Sequence, residues 1–145
     1  MYLLDTNVVS ELRKAKSGKA HPQVVDWAQS VAASTLYISV ITVLELETGI
    51  LLMERKDVHQ GALLRTWMAT HVLPTFANRT LPVDTAVALR CAKLHVPNPG
   101  AERDMLIAST AIVHGLTMVT RNVADFEATG VALLNPWGPQ AGAWI

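Results

Sequence analysis

Four acidic residues stand where a ligand site would form or where packing would favour an uncharged side chain: Asp5, Glu45, Asp104 and Asp125. Asp5 closes the run Met1-Tyr2-Leu3-Leu4, which is apolar and long enough for one short strand. A strand so short and uniformly apolar reads as buried on both faces, so Asp5 falls at its carboxyl end, where open α/β sheets gather ligands. Asp5 equally suits the cap of a helix beginning near Asn7, since Asp, Thr and Asn all favour helix starts. By the i, i+3 and i+4 rule, Glu45 shares a face with Thr42, Thr48 and Gly49, small residues suited to close packing, whereas Glu47 projects elsewhere, toward solvent. Asp104 lines up with Ile107, Ala108 and Ala111 on a face that should point inward, and Glu102 fits the helix-dipole role better. Asp125 follows a strand in Thr120-Arg121-Asn122-Val123-Ala124-Asp125-Phe126, where it and Asn122 can both aim oxygens at the sheet edge. A turn or cap role accounts for Asp125 equally.

If these four acids converge, they cannot all stay ionised without a cation. At about 4 Å and an effective dielectric near 20, each like-charged pair costs roughly 4 kcal/mol. Hard oxygen ligands without nearby His or Cys select Mg²⁺ or Mn²⁺ over Zn²⁺. Mg²⁺ commonly binds one or two carboxylates plus substrate phosphate, an arrangement suited to phosphodiester hydrolysis. The chain holds no GxSxG elbow, GxxxxGK[ST] loop or GxGxxG fingerprint, so serine-hydrolase, P-loop and dinucleotide readings lack support. The five histidines have no metal-site spacing and are expected at the surface or as caps.

The elements that must carry the acids alternate along the chain. After the first strand come helices over Asn7 to Lys14 and from His21-Pro22 to about Ala33, the latter with Val24, Val25, Trp27, Ala28 and Val31 as its apolar stripe. A strand over Leu36 to Val40 leads into helices Thr42 to Arg55 and Val58 to Val72, a pair expected to form a hairpin. A weak strand, Leu81 to Val83, precedes the helix Asp84 to His95, with Asp84 as N-cap. Val96-Pro97-Asn98-Pro99-Gly100 breaks the chain. The helix Glu102 to His114, ended by Gly115, is followed by strands Leu116 to Thr120 and Val131 to Leu134 and a Pro- and Gly-rich tail, residues 135–145. Strands separated by helices of this length predict one α/β domain over 1–145, a three-layer α/β/α sandwich around a parallel sheet of about four to five strands.

Composition bounds the partners. Twelve basic and twelve acidic residues balance, so no global field attracts nucleic acid. Arg13, Lys14, Lys16 and Lys19 form the one local basic cluster, in a segment that reads as a solvated loop or as a holder of RNA backbone. Half the residues are hydrophobic, enough to leave apolar side chains for self-association or a partner. Cys91 lies in an apolar helical stretch and reads as core. No stretch approaches 18 consecutive apolar residues and no basic leader opens the chain, so a soluble, intracellular protein is expected, with no membrane contact.

Four segments carry a family resemblance: Leu3-Leu4-Asp5-Thr6-Asn7-Val8-Val9-Ser10-Glu11, Ser39-Val40-Ile41-Thr42-Val43-Leu44-Glu45-Leu46, Asp104-Met105-Leu106-Ile107-Ala108-Ser109-Thr110-Ala111 and Val119-Thr120-Arg121-Asn122-Val123-Ala124-Asp125-Phe126. In this order and spanning nearly the whole chain, they resemble the signature segments of PIN-domain proteins. The closing Leu134-Asn135-Pro136-Trp137 resembles the FitB-like branch of VapC toxins. The resemblance implies a Mg²⁺- or Mn²⁺-dependent endoribonuclease, the toxin of a type II toxin–antitoxin pair, cutting RNA with a metal-activated water to leave 5′-phosphate and 3′-hydroxyl ends. It implies Asp5, Glu45 and Asp104 as an acidic triad of catalytic and metal-binding residues. Many relatives carry Asp directly after the Thr-Arg pair, where this chain has Asn122, so Asp125 or Asn122 completes the set. Thr6 and Asn7 would orient Asp5, and Arg121 would meet phosphate. The expected partners are RNA, a second copy of the chain and a VapB/FitA-like antitoxin that alone contacts operator DNA; the expected location is the cytoplasm.

Two other readings compete. A phosphatase using Asp5 as phosphoryl acceptor, as in haloacid-dehalogenase-like enzymes, would want an Asp where Asn7 stands and a later lysine, and no lysine follows Lys93. A non-catalytic RNA- or protein-binding domain would pair its carboxylates with Arg103 and Arg121.

Overall fold

Leu3 and Leu4, neighbours on the first strand, belong to different hydrophobic cores. Side chains alternate across a strand, so one apolar dipeptide serves both faces of the sheet. The computed structural model describes residues 1–138, and of the expected tail residues 139–145 lie outside them. Strands β1 (Tyr2–Leu4), β2 (Leu36–Ser39), β3 (Thr80–Leu81), β4 (Thr117–Val119) and β5 (Leu133–Leu134) form a five-stranded sheet in the order β3-β2-β1-β4-β5. Every pairing is parallel, with Leu3 opposite Tyr37 on one side and Met118 on the other. This is the expected α/β architecture of a central parallel sheet flanked by helices.

One face is covered by α1 (Thr6–Leu12), α2 (Pro22–Ser30), α3 (Val40–Lys56) and α4 (Val58–Trp67). Its core holds Leu4, Val8, Trp27, Ile38, Leu46 and Ile50, joined by Met68 and Val72 of the π-helical turn Met68–Val72 and by Phe76, which follows the short α5 (Leu73–Thr75). The other face is covered by α6 (Thr85–Leu94), α7 (Glu102–His114) and α8 (Val123–Phe126), with Cys91, Ile107, Ala108, Met118 and Phe126 in its core. Cys91 is buried, as expected.

The differences from the sequence-based boundaries have local causes. Val40 and Ile41 read as strand by type, but the Ser39 hydroxyl accepts the Ile41 N–H at 3.0 Å and starts α3 two residues early. The third strand is Thr80–Leu81, since Pro82 brings no N–H to a ladder. The strand expected over Val131 to Leu134 pairs only at Leu133–Leu134. The second helix stops at Ser30, where Val31 is already extended. Asp84 caps α6, and Gly115 ends α7 at φ 66°, both as expected.

The α3/α4 hairpin is locked at one point. A Cβ on Gly61 would lie 2.6 Å from the Glu54 Cα, so only glycine permits this approach. Arg65 straddles the same seam, 2.6 Å from Glu47 and 3.1 Å from Glu54, so Glu47, expected to be solvated alone, is paired. Beyond the hairpin, Val40, Leu44 and Leu51 on α3 and Leu63 on α4 are exposed. Among the described residues, no helix is long and apolar enough to cross a membrane.

Candidate functional site

Because all five strands run the same way, their carboxyl ends share one edge, and the strand order turns around between β1 and β4. Such a reversal opens a crevice in which α/β sheets bind ligands. Asp5 stands there. Its backbone N–H reaches across to Val119 O at 2.9 Å, which fixes the end of β1 against β4.

Asp5 occupies both positions that its sequence suggests, the carboxyl end of β1 and the cap of a helix. As N-cap of α1 it accepts the Thr6 N–H through Oδ1 at 2.8 Å, while Oδ2 accepts the Thr120 hydroxyl at 2.8 Å and, more distantly, the Asn7 side-chain amide at 3.5 Å. The residue is only 6% exposed. Burial outweighs these neutral donors, and with a lesser push from the charges of Asp104 and Glu45 it raises the carboxyl to about 6.

Thr6 joins the first acid to the second. Its N–H is committed to Asp5, and its hydroxyl donates to Glu45 Oε1 at 2.7 Å, with the buried Thr42 hydroxyl 3.1 Å away. Glu45 projects from the second turn of α3, which Ser39 starts at the end of β2. Thr48 and Gly49, expected to pack closely beside it, are exposed, and a Cβ on Gly49 would meet nothing within 4 Å. That face is open, and together with Thr6, Arg13, Leu64 and Trp67 it lines a cleft of about 240 Å³. Arg13, from the basic segment, thereby comes to the cleft that Glu45 borders. Lys14 is instead tied to Glu11 at 3.1 Å, Lys16 lies 3.0 Å from His71 Nε2, and Lys19 is exposed.

Asp104 is half-buried in the first turn of α7, on the same face as the buried Ile107, Ala108 and Ala111. Its carboxyl is held above the usual range, first by burial and then by Glu45 and Asp125, with Arg103 opposing. Glu45, Arg103 and Asp104 line one open cleft of about 410 Å³. Asp125, in the first turn of α8, is exposed and lines a separate pocket with Lys93 and Met105; it reaches the others through its charge on Asp104. Asn122 meets the network through its backbone, whose N–H donates to the Thr120 hydroxyl at 3.1 Å, and its side chain makes no cap bond. The Arg121 backbone N–H lies 3.4 Å from Asn7 Oδ1, and its guanidinium stacks 5.3 Å from the Trp137 ring centre.

Sequence reasoning missed Thr120, and it set Arg103 beside the carboxylates only under the non-catalytic reading, where the structure indeed pairs it with Glu45. Thr120 is fully buried and binds Asp5 directly. The signal was available in principle: two strands that pair in parallel end at the same level, so the residue after β4 must face the residue after β1.

The donor set suits a divalent cation. Its oxygens are hard, no His or Cys stands among the four acids and their side-chain partners, and two of its carboxyls are held above their ordinary range, first by burial and then by the charge of neighbouring acids. Among the described residues, no three acidic, His or Cys side chains stand close enough to cage a metal by themselves.

A sequence model of the PIN domain matches residues 2–131. The VapC ribonuclease Y4jK of Sinorhizobium fredii is 37% identical over 96% of this chain and 99% of its own length. Toxin FitB of Neisseria gonorrhoeae is 38% identical, covering 94% of this chain and 99% of that protein. Among solved structures, FitAB bound to an IR36 DNA fragment superposes with a TM-score of 0.85 at 35% identity, covering 97% of this chain and 98% of that one.

Proposed function

The chain belongs to the PIN-domain family, and from that we propose that it is the ribonuclease toxin of a bacterial toxin–antitoxin pair, acting in the cytoplasm through the acids gathered at Asp5. The observation that carries this reading is the Thr6 bridge, which joins the buried Asp5 to Glu45 at the reversal point of the sheet.

In this reading Asp5, Glu45 and Asp104 hold a Mg²⁺ or Mn²⁺ ion, with Asp125 contributing from the rim. The ion supplies an activated water and a polarised phosphate. Thr120, Asn7 and the Thr6 backbone fix the Asp5 carboxylate and leave lone pairs on its oxygens free to face the ion. Thr6 fixes Glu45 relative to it. Arg121, steadied by Trp137, and Arg13, in the neighbouring cleft, offer positive charge to the RNA backbone on either side of the acids. The exposed apolar stripe of α3 and α4 is proposed to meet a second copy of the chain and an antitoxin, and DNA is contacted through that antitoxin.

Induced expression in a bacterium lacking the antitoxin tests the proposal. It should arrest growth and yield discrete new RNA 5′ ends, and Asp104→Asn should abolish both. Growth arrest that persists in Asp104→Asn without new RNA ends would point to the non-catalytic binding reading.

A further inference from the structure

Each oxygen of Glu45 has one partner. Oε1 accepts the Thr6 hydroxyl at 2.7 Å, and Oε2 faces the Arg103 Nε at 3.8 Å. Arg103 immediately precedes Asp104, lines the same cleft as both acids, and bears the one positive charge that acts to lower the Asp104 carboxyl. Among the described residues it is also the only cation ion-paired with any of the four acids.

The Thr6 contact belongs to the scaffold, since the Thr6 hydroxyl is wedged against buried Thr42. The Arg103 contact does not: its side chain is 55% exposed, against 24% for Glu45, and its distance is that of a loose ion pair. A long exposed arginine exchanges such a partner at small cost.

We infer that Arg103 is a displaceable counter-ion of the acidic centre: its guanidinium competes with the divalent cation for Glu45 and must leave Oε2 before that carboxylate can turn to the metal. This rests on the reading of the acids as a metal site.

Calorimetric titration of the purified chain with Mn²⁺ tests this without any activity measurement. Arg103→Gln should bind Mn²⁺ about two- to fivefold tighter than the unaltered chain, the range an exposed ion pair spans as an equilibrium constant. Arg103→Lys, which keeps the charge, should lie between them. Arg55→Gln, removing a cation ten residues further along α3 and thus about 15 Å away, should leave the affinity unchanged. Because Arg103 and Arg55 are both exposed, all three variants should melt as the unaltered chain does. Unchanged or weaker Mn²⁺ binding in Arg103→Gln overturns the inference while leaving the metal site intact. An equal gain in Arg55→Gln also overturns it, assigning the effect to net charge. If the unaltered chain takes up no Mn²⁺, the metal-site reading falls, and this inference with it.

Discussion

Replacing Asp5 with Asn should make the metal-free protein more stable at neutral pH, and the gain should vanish in acid. Folding raises this carboxyl from its ordinary 3.8 to about 6. Between those values the folded protein keeps a proton that the unfolded chain has released, so stability falls as pH rises through the window and is level above it. At 1.36 kcal/mol per pH unit the gap corresponds to about 3 kcal/mol, lost by the parent above about pH 6 and absent from the Asn variant. The Asn side chain keeps an oxygen for the Thr6 N–H, and losing the Thr120 contact costs the same at every pH, so the pH-dependent part of the difference is unaffected. Glu11 and Glu47, held below their ordinary range by hydrogen bonds to the His21 backbone and to Arg65, slope the opposite way, so only the difference between the two proteins isolates Asp5. Urea unfolding of both, with chelator, at intervals from pH 4 to pH 8, measures it. A stability difference that does not change with pH, or one that favours the parent more at pH 8 than at pH 4, would refute the reasoning.

Further expectations follow from the same geometry. Thr120→Val removes a hydrogen bond that favours the charged form of Asp5, so its carboxyl should titrate above about 6; ¹³C-edited NMR of the aspartate carboxyls would show the rise. Gly61→Ala drives a methyl into the Glu54 backbone and should cost about 1–3 kcal/mol, read as a lowered denaturation midpoint with binding of Mn²⁺ preserved. Phe126→Ala empties a side chain that is 1% exposed beneath α8 and should cost about 3–5 kcal/mol in the same assay. Mn²⁺ at a hundred times its dissociation constant should stabilise the parent at pH 7 by about 2.7 kcal/mol and give Asp104→Asn markedly less, by calorimetric melting.

The architecture was legible because its strongest signals are local. Leu3-Leu4 is apolar enough to need two cores, the Glu102 to His114 helix is closed by Gly115 as its sequence suggests, and Asp84 caps as its type predicts. What was misread depended on competition between neighbours. Val40 and Ile41 favour a strand by shape, and the single Ser39 hydroxyl turns them into a helix. The short α8 has no periodic pattern to announce it and forms because Phe126 fills the core beneath it. The acids were legible individually as charges out of place on apolar elements. How they are joined was not: the Thr6 bridge spans 39 residues and the Thr120 contact spans 115, distances that only the parallel sheet closes. The face around Gly49 shows the converse error, since small residues signal close approach only where something lies opposite.

If Asp5 and its companions cut RNA with a divalent cation, cleavage must depend on both. The purified protein, freed of any bound partner, should be incubated with 5′-labelled structured RNA in Mg²⁺ or Mn²⁺ and the products' ends identified. Chelator should stop cleavage, the products should end in 5′-phosphate and 3′-hydroxyl, and Asp5→Asn should not cleave at equal protein and metal. Cleavage by Asp5→Asn at the parent rate, or cleavage that persists in chelator, would contradict it.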